Sequence, residues 1–335
     1  MQAILITGGA GFIGSNFIPY FLKENIEYNV VNLDVLTYAG DLSNLSEIQD
    51  NPRYTFIQGD ICDIEFVKKL FQKYNFKGVI HFAAESHVDN AILNPDAFVR
   101  TNVFGTFNLL DVAKNYWMEA PNVCRKGFEN CRFHHISTDE VYGTLKETGL
   151  FTEETPYAPN SPYSASKASS DFMVRSYFHT YGMNVITTNC SNNYGPKQHD
   201  EKLIPTIIRK AISGEKIPIY GDGRNIRDWL YVLDHCKGIE LVFKSGKIGE
   251  TYNIGGRNER DNLYIVQTIC DILDDIFPKE ISFREQISFV KDRPGHDFRY
   301  AIDAAKLENA LGWQADENFE TGIKKTIEWY LKKYQ

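Results

Sequence analysis

A tyrosine and a lysine four positions apart, Tyr163 and Lys167, and two adjacent carboxylates, Asp139 and Glu140, are the residues here best suited to moving protons. The run Tyr163-Ser164-Ala165-Ser166-Lys167 lies in a stretch that reads as helix, so both side chains fall on one face. A lysine cation beside a phenol favours the phenolate and lowers its pKa from about 10 towards neutrality. Such a tyrosine can take the proton of an alcohol while hydride leaves the same carbon. Adjacent carboxylates take different roles when one is held neutral and the other ionised. Taken alone, an exposed Tyr and Lys on a helix and two solvated loop acids would explain both patterns.

A third pattern reverses that choice. Gly8-Gly9-Ala10-Gly11-Phe12-Ile13-Gly14 follows a strand-like run and opens a helix. Glycines let the backbone turn tightly and approach a pyrophosphate, and the helix N-terminus offers N–H groups to its oxygens. Gly8, Gly11, Phe12, Ile13 and Gly14 are therefore candidate cofactor contacts. Asp34 ends the second strand at the distance where an acid can hold the adenosine ribose hydroxyls, which predicts NAD over NADP. Asp60-Ile61, after the third strand, could border the adenine; Asp60 could equally N-cap the next helix, and both can hold.

The elements that must position these residues alternate. Strands are expected at Ala3–Thr7, Asn29–Asp34, Tyr54–Gln58, Gly78–Ala83, Arg132–Ser137 and Asn184–Asn189. Helices are expected after the glycine turn, over Glu65–Tyr74, in one long stretch from about Asp96 to Met118, and over Ser164–Tyr181. This alternation predicts an α/β fold, a Rossmann-like doubly wound parallel sheet covered on both faces. After about Cys190 the pattern becomes turn-rich, as expected of a smaller mixed α/β substrate-binding lobe. Tyr252–Ile254 reads as a strand that returns to the main sheet, so the domains are expected to interleave. Residues 1–190 with about 229–257 form the first, and about 191–228 with 258–335 the second. Residues 119–130 read as a polar surface insertion.

Composition excludes other classes. With 36 Lys+Arg against 44 Asp+Glu the net charge is −8, which argues against a nucleic-acid surface built on bulk positive charge. No segment has the length of a membrane span. The opening lacks a basic region and a cleavage site, which predicts a cytoplasmic chain with its native terminus. Six scattered cysteines without a CxxC predict reduced thiols and neither disulfides nor a metal site.

TGGAGFIG at the start and YSASK in the middle resemble the extended short-chain dehydrogenase/reductase family, NAD enzymes acting on nucleotide sugars. STDEVYG at Ser137–Gly143, AAESHVD at Ala83–Asp89, SNNYGP at Ser191–Pro196 and RDWLYVLDH at Arg227–His235 narrow the resemblance to its sugar-nucleotide 4,6-dehydratases. It implies dTDP-glucose as substrate and a homodimer through the helices at Asp96–Met118 and Ser164–Tyr181. It also implies that Thr138 pairs with the C4 oxygen, Asp139 is the acid and Glu140 the base, an order position alone does not give. Leu36, Thr37, Ala83, Ala84, Thr101 and Asn193 join the expected cofactor set, with Ser86 near the sugar. Asn90-Ala91 departs from the Arg-Ser associated with dehydratases, and His87 reads as an ordinary turn histidine.

A sugar nucleotide carries a pyrophosphate, so an acidic protein must concentrate cations locally. Arg227 and Arg293 are the candidates, because guanidinium forks match phosphate oxygens. By resemblance, Asn192, Lys202, Leu203, Pro218, Tyr220, Asn262 and His296 line the substrate site, with Pro218–Tyr220 at the thymine. The plainer readings are Tyr220 as a core aromatic, Lys202 as a solvated charge and Asn262 as an N-cap. Rival functions are a dehydratase or 4-epimerase for another nucleotide sugar, or a non-catalytic NAD-binding protein.

Overall fold

The computed structural model describes residues 1–292 and 296–334. Seven parallel strands form one sheet: β1 (Gln2–Thr7), β2 (Tyr28–Asp34), β3 (Tyr54–Gln58), β4 (Gly78–His81), β5 (Arg132–Thr138), β6 (Val185–Cys190) and β7 (Thr251–Ile254). Their order is 3-2-1-4-5-6-7. Alternate residues of β1 explain why both faces are covered. Ile4 and Ile6 enter a core with Phe17, Ile18 and Val242, while Leu5 enters another with Val31, Leu109 and Phe133. Period-two projection into two helical layers is what a buried parallel strand requires. The order reverses between β1 and β4, and a crevice opens there at the carboxyl ends of the strands.

The stretch expected as one helix from about Asp96 to Met118 is divided. Pro95–Phe98 runs into a π-helical turn at Val99–Gly105 and then the α-helix Thr106–Trp117. The extra residue in the π turn carries Asn102 inward, where it is 1% exposed. Its Nδ2 donates to Glu85 O at 3.0 Å and Ser166 Oγ at 2.8 Å, and its Oδ1 accepts from Glu85 N at 2.8 Å. Three bonds that a 3.6-residue period would misdirect thus select the irregular turn. Residues 119–130 form an exposed hairpin, Met118–Ala120 with Val123–Cys124.

The second lobe has its own core. Helix Leu203–Ile212 buries Ile204, Ile207, Ile208 and Ala211, one face at helical spacing. These pack with Ile265, Ile269, Phe319 and Ile323. Strand Ile226–Tyr231 lies between Glu259–Asp261 and Arg299–Tyr300 and also pairs with Asn192–Tyr194. That last pairing ties the lobe to the chain leaving β6. Among the described residues no helix is long and apolar enough to cross a membrane.

Candidate active site

The glycine turn is walled by backbone. Gly8 has φ +73°, and a Cβ there would stand 2.5 Å from Ala83 N; a Cβ at Gly14 would stand 2.5 Å from Gly8 O. Helix Phe12–Glu24 starts at Gly11 with no side-chain cap, so its first N–H groups face the crevice. Asp34 closes β2 and holds this turn, its Oδ2 accepting from Ala10 N and its Oδ1 from Leu36 N, both at 2.9 Å. Each oxygen keeps a further lone pair for a ribose hydroxyl. Asp60 Oδ1 accepts from Cys62 N, and the cap of the next helix is Asp63 instead.

A cleft of about 410 Å³ runs from this turn to the catalytic candidates. Its cofactor end is lined by Gly8, Gly11, Phe12, Ile13, Gly14, Asp34, Thr37, Asp60 and Ile61. Further along come Ala83, Ala84, Ser86 and Thr101, then Thr138, Asp139, Glu140, Tyr163 and Lys167. Asn192, Asn193 and Lys202 close the far side. Leu36 is the one expected cofactor residue outside this lining.

Tyr163 sits in the first turn of helix Pro162–Tyr181, two residues into an element expected to begin at Ser164. Ser161 caps it in a reciprocal box with Ser164, and Pro162 is pre-set for the first helical position. Both Tyr163 and Lys167 are buried. The expected lowering of the phenol by the lysine is not what the structure shows. Burial pushes the Tyr163 phenol well above its ordinary value, Glu140 adds to this, and the hydrogen bond with Thr138 opposes it. Lys167 instead donates from Nζ to Ile136 O at 2.8 Å, and burial pushes its own pKa down. A dry pocket with two carboxylates outweighs one cation turned to a carbonyl.

Thr138 ends β5 and caps the short 3-10 turn Asp139–Tyr142 by accepting from Glu140 N at 3.3 Å. The turn leaves the two acids in different surroundings, Asp139 buried and Glu140 half-buried. Asp139 is 2% exposed, and burial, then Glu140 and Asp228, push its carboxyl well above the usual range, with Arg227 opposing. Asp139 Oδ2 and Asn192 Oδ1 are buried and make no hydrogen bond among the described residues. A neutral Asp139 is thus poised to give a proton.

The second-lobe residues gather beyond Glu140. Arg227 is buried, lies 4.3 Å over the Tyr300 ring and donates to the carbonyls of Ile226, Phe298 and Asp297. It lies outside the cleft lining, although Glu140 and Asp139 both act on its charge. Leu203 opens its helix, and Pro218 and Tyr220 lie on strand Ile217–Tyr220, with Tyr220 at 36% exposure and so no core aromatic. Asn262 is the first residue of helix Asn262–Ile276, capped by Asp261. His296 Nδ1 is 2.7 Å from Asp292 Oδ1, and Arg293 lies outside the described residues. Leu203, Pro218, Tyr220, Asn262 and His296 also stand outside the cleft lining. His87 caps helix Val88–Leu93 by accepting from Asn90 N.

Sequence reasoning missed His199, Glu201 and Tyr300, and put Glu85 on the edge after the fourth strand without giving it a role. Glu85 lines the cleft with its carboxyl raised by burial and by Glu201, although 116 positions separate the two acids. Only AAESHVD, taken as a segment, pointed towards Glu85.

Strand order, the walled glycine turn and a buried Tyr/Lys pair define an extended short-chain dehydrogenase/reductase. Known proteins narrow this. The profile of the family described as GDP-mannose 4,6 dehydratase matches residues 5–326. The dTDP-glucose 4,6-dehydratase of Salmonella typhimurium is 55% identical over 99% of this chain and 93% of its own. The crystal structure of dTDP-glucose 4,6-dehydratase from Bacillus anthracis in complex with NAD has a TM-score of 0.87 at 45% identity, covering 99% of this chain and 97% of that one. The Streptomyces venezuelae dTDP-glucose 4,6-dehydratase, also solved with NAD, has a TM-score of 0.90 at 41% identity with the same coverage. The chain belongs to the nucleotide-sugar 4,6-dehydratase family, in its dTDP-glucose 4,6-dehydratase branch.

Proposed function

We propose that the chain is an NAD-dependent hydro-lyase converting dTDP-glucose to dTDP-4-keto-6-deoxyglucose and water. The observation that carries this is the pair at the end of β5, with Asp139 buried and biased neutral beside Glu140, under Tyr163 and Thr138. An oxidation at C4 alone needs no such acid. The backbone-walled cradle of Gly8, Gly11 and Gly14, with Asp34 for the ribose, suits a dinucleotide, and Lys167 and Asn193 border its inner end. When bound, NAD supplies the hydride acceptor for C4 and the hydride donor for C6.

The chain's own groups move the protons. Tyr163, held by Thr138, takes the C4 hydroxyl proton as the phenolate, the form that the positive charge of bound NAD would favour against the rise imposed by burial. Glu140 removes the C5 proton, made acidic by the adjacent ketone, and Asp139 protonates the departing C6 oxygen. Glu140 then returns its proton to C5, and exchange through solvent moves the proton gained by Tyr163 to Asp139, so that all three groups end as they began. Ser86, Asn192 and Lys202 meet the sugar side. Arg227 supplies positive charge for the pyrophosphate through space, its guanidinium donors being held by the carbonyls of Ile226, Phe298 and Asp297. Pro218, Tyr220, Asn262 and His296 stand towards the base.

This reading includes an NAD domain of residues 1–190 with about 229–257, and a sugar-nucleotide domain of about 191–228 with 258–335. It also includes a cytoplasmic location, supported by six free cysteines. A homodimer is supported by the exposed Val99, Phe104 and Phe172 on the two expected helices.

Incubation with dTDP-glucose, a GDP-sugar and a UDP-sugar, followed by NMR of the sugar, tests the assignment. The 4-keto-6-deoxy product should form from dTDP-glucose. Unchanged dTDP-glucose beside turnover of another sugar nucleotide would overturn it.

A further inference from the structure

Asp171 lies one helical turn beyond Lys167 on the same face of the catalytic helix, and both are 4% exposed. Among the described residues neither forms an ion pair with an arginine or a lysine; each acts on the other's charge through space, and burial on this scale is costly for either charge alone. The two are stitched to neighbouring residues of β5. Lys167 Nζ donates to Ile136 O at 2.8 Å, while Asp171 Oδ2 accepts from Ser137 Oγ at 2.8 Å. Thr138, Asp139 and Glu140 follow immediately. The register of the helix that carries Tyr163 against the strand that carries the acids is thus set by these two bonds.

A second ring of bonds holds Asp171 itself. Tyr157 OH donates to the same Oδ2 at 3.0 Å, and Asn189 Nδ2 donates to Tyr157 OH and to Tyr142 OH. Tyr142 OH in turn donates to Asn253 Oδ1 on β7. The amide links make this a scaffold across three strands rather than a proton wire, because an amide does not pass a proton along.

Besides Tyr157 and Tyr142, two histidines and a cysteine face the pair among the described residues. His135 on β5 places Nε2 3.1 Å from Asp171 Oδ1, and His81 on β4 stacks against His135 at 5.3 Å. Cys190 on β6 faces Lys167. Burial holds both imidazoles well below their ordinary value, so they are neutral, and Asp171 is the carboxylate that favours the charged lysine.

We propose that Asp171 is a positioning residue for the dehydration: it fixes the catalytic helix on β5 and supplies the negative charge that keeps Lys167 an ammonium in the dry floor of the cleft. The proposal rests on the reading of Tyr163 and Lys167 as catalytic. Burial raises the Asp171 carboxyl to about 6, although Lys167, Ser137 and Tyr157 hold it down. Below that pH the carboxylate takes a proton and Lys167 loses its counter-charge, so wild-type kcat falls on the acid side.

The test is the pH profile of kcat for the NAD-loaded enzyme on dTDP-glucose. Asp171→Asn keeps the shape and an acceptor for Ser137 but removes the charge. Its alkaline limb should move down by about one pH unit as Lys167 deprotonates earlier, with KM changed less than kcat. Tyr157→Phe removes one bond that lowers the Asp171 pKa, and should move the acid limb up. An unmoved limb in both variants overturns the proposal, and Tyr157→Phe alone decides if Asp171→Asn does not fold. Wild-type inactivity on dTDP-glucose would instead sink the functional reading, and the same profiles on the sugar nucleotide it does turn over would then decide for or against Asp171.

Discussion

Lys202 donates from Nζ to the carbonyl oxygen of Ser86 at 3.2 Å, joining the start of a second-lobe helix to the loop after β4 across the cleft. Its ammonium therefore borders both the sugar end and the seam between the lobes. Lys202→Met keeps the length and removes the donor. Hydrogen bonds to charged groups contribute about 1.5–3 kcal/mol. KM for dTDP-glucose should therefore rise at least tenfold, with the bound NAD content unchanged. Steady-state kinetics together with cofactor quantitation checks both halves.

At the cofactor end, Asp34 has a double role, bracing Ala10 N and Leu36 N while facing the crevice. Asp34→Ala should weaken NAD binding by about 10-fold to 100-fold through lost charge-assisted bonds. Calorimetric titration of the stripped enzyme with NAD measures this, and an unchanged affinity would remove Asp34 from the site.

Gly8 is a folding requirement before it is a binding one. Its φ of +73° and a Cβ position 2.5 Å from Ala83 N leave an alanine both strained and in collision. Gly8→Ala should cost about 1–3 kcal/mol and lower the thermal midpoint by roughly several degrees. Thermal unfolding without cofactor isolates that effect.

The two acids are separable by their products. Glu140→Gln should abolish exchange of the C5 proton with deuterated solvent, while Asp139→Asn should keep some exchange and lose water elimination, kcat falling about 100-fold to 10,000-fold. Asp139 has a raised folded pKa, so its acid form is present at low pH and lost as pH rises through that value. The alkaline decline contributed by this group should vanish in Asp139→Asn. Mass spectrometry of the recovered sugar reads the exchange.

Four buried histidines make stability sensitive to acid. Burial holds His81, His134 and His135 well below the ordinary imidazole value and His235 at about 3. The unfolded chain takes up protons below about 6.5 that the folded chain refuses, so each contribution is present above that pH and lost as pH falls. The slope is about 1.4 kcal/mol per pH unit for each group. Asp139 and Asp171, raised by burial, have the opposite sign, so the histidine share is read as a difference. His235→Asn should show a shallower loss of stability between about pH 6.5 and pH 5 in denaturant titrations.

What the sequence by itself determined was local. A glycine at positive φ, an acid at a strand end and a Tyr/Lys pair one helical turn apart are encoded within a few residues, because turn geometry and helical period are properties of neighbours. Those spacings sufficed for the cofactor turn, for the catalytic helix and for the doubly wound parallel sheet expected of alternating elements. Period-based reading lost Asn102, since its inward position depends on a π turn selected by Glu85 and Ser166. Only the tertiary structure decided that Asp171 lies under Lys167 against Ser137, that Glu85 meets Glu201, and that Arg227 spends its donors on carbonyls. It also decided that the Tyr163 phenol is raised where spacing predicted it lowered. The reason is common to all of these. Charge state and partner choice depend on how much water is removed and on which distant strands supply the walls, and neither is written in the spacing of adjacent residues.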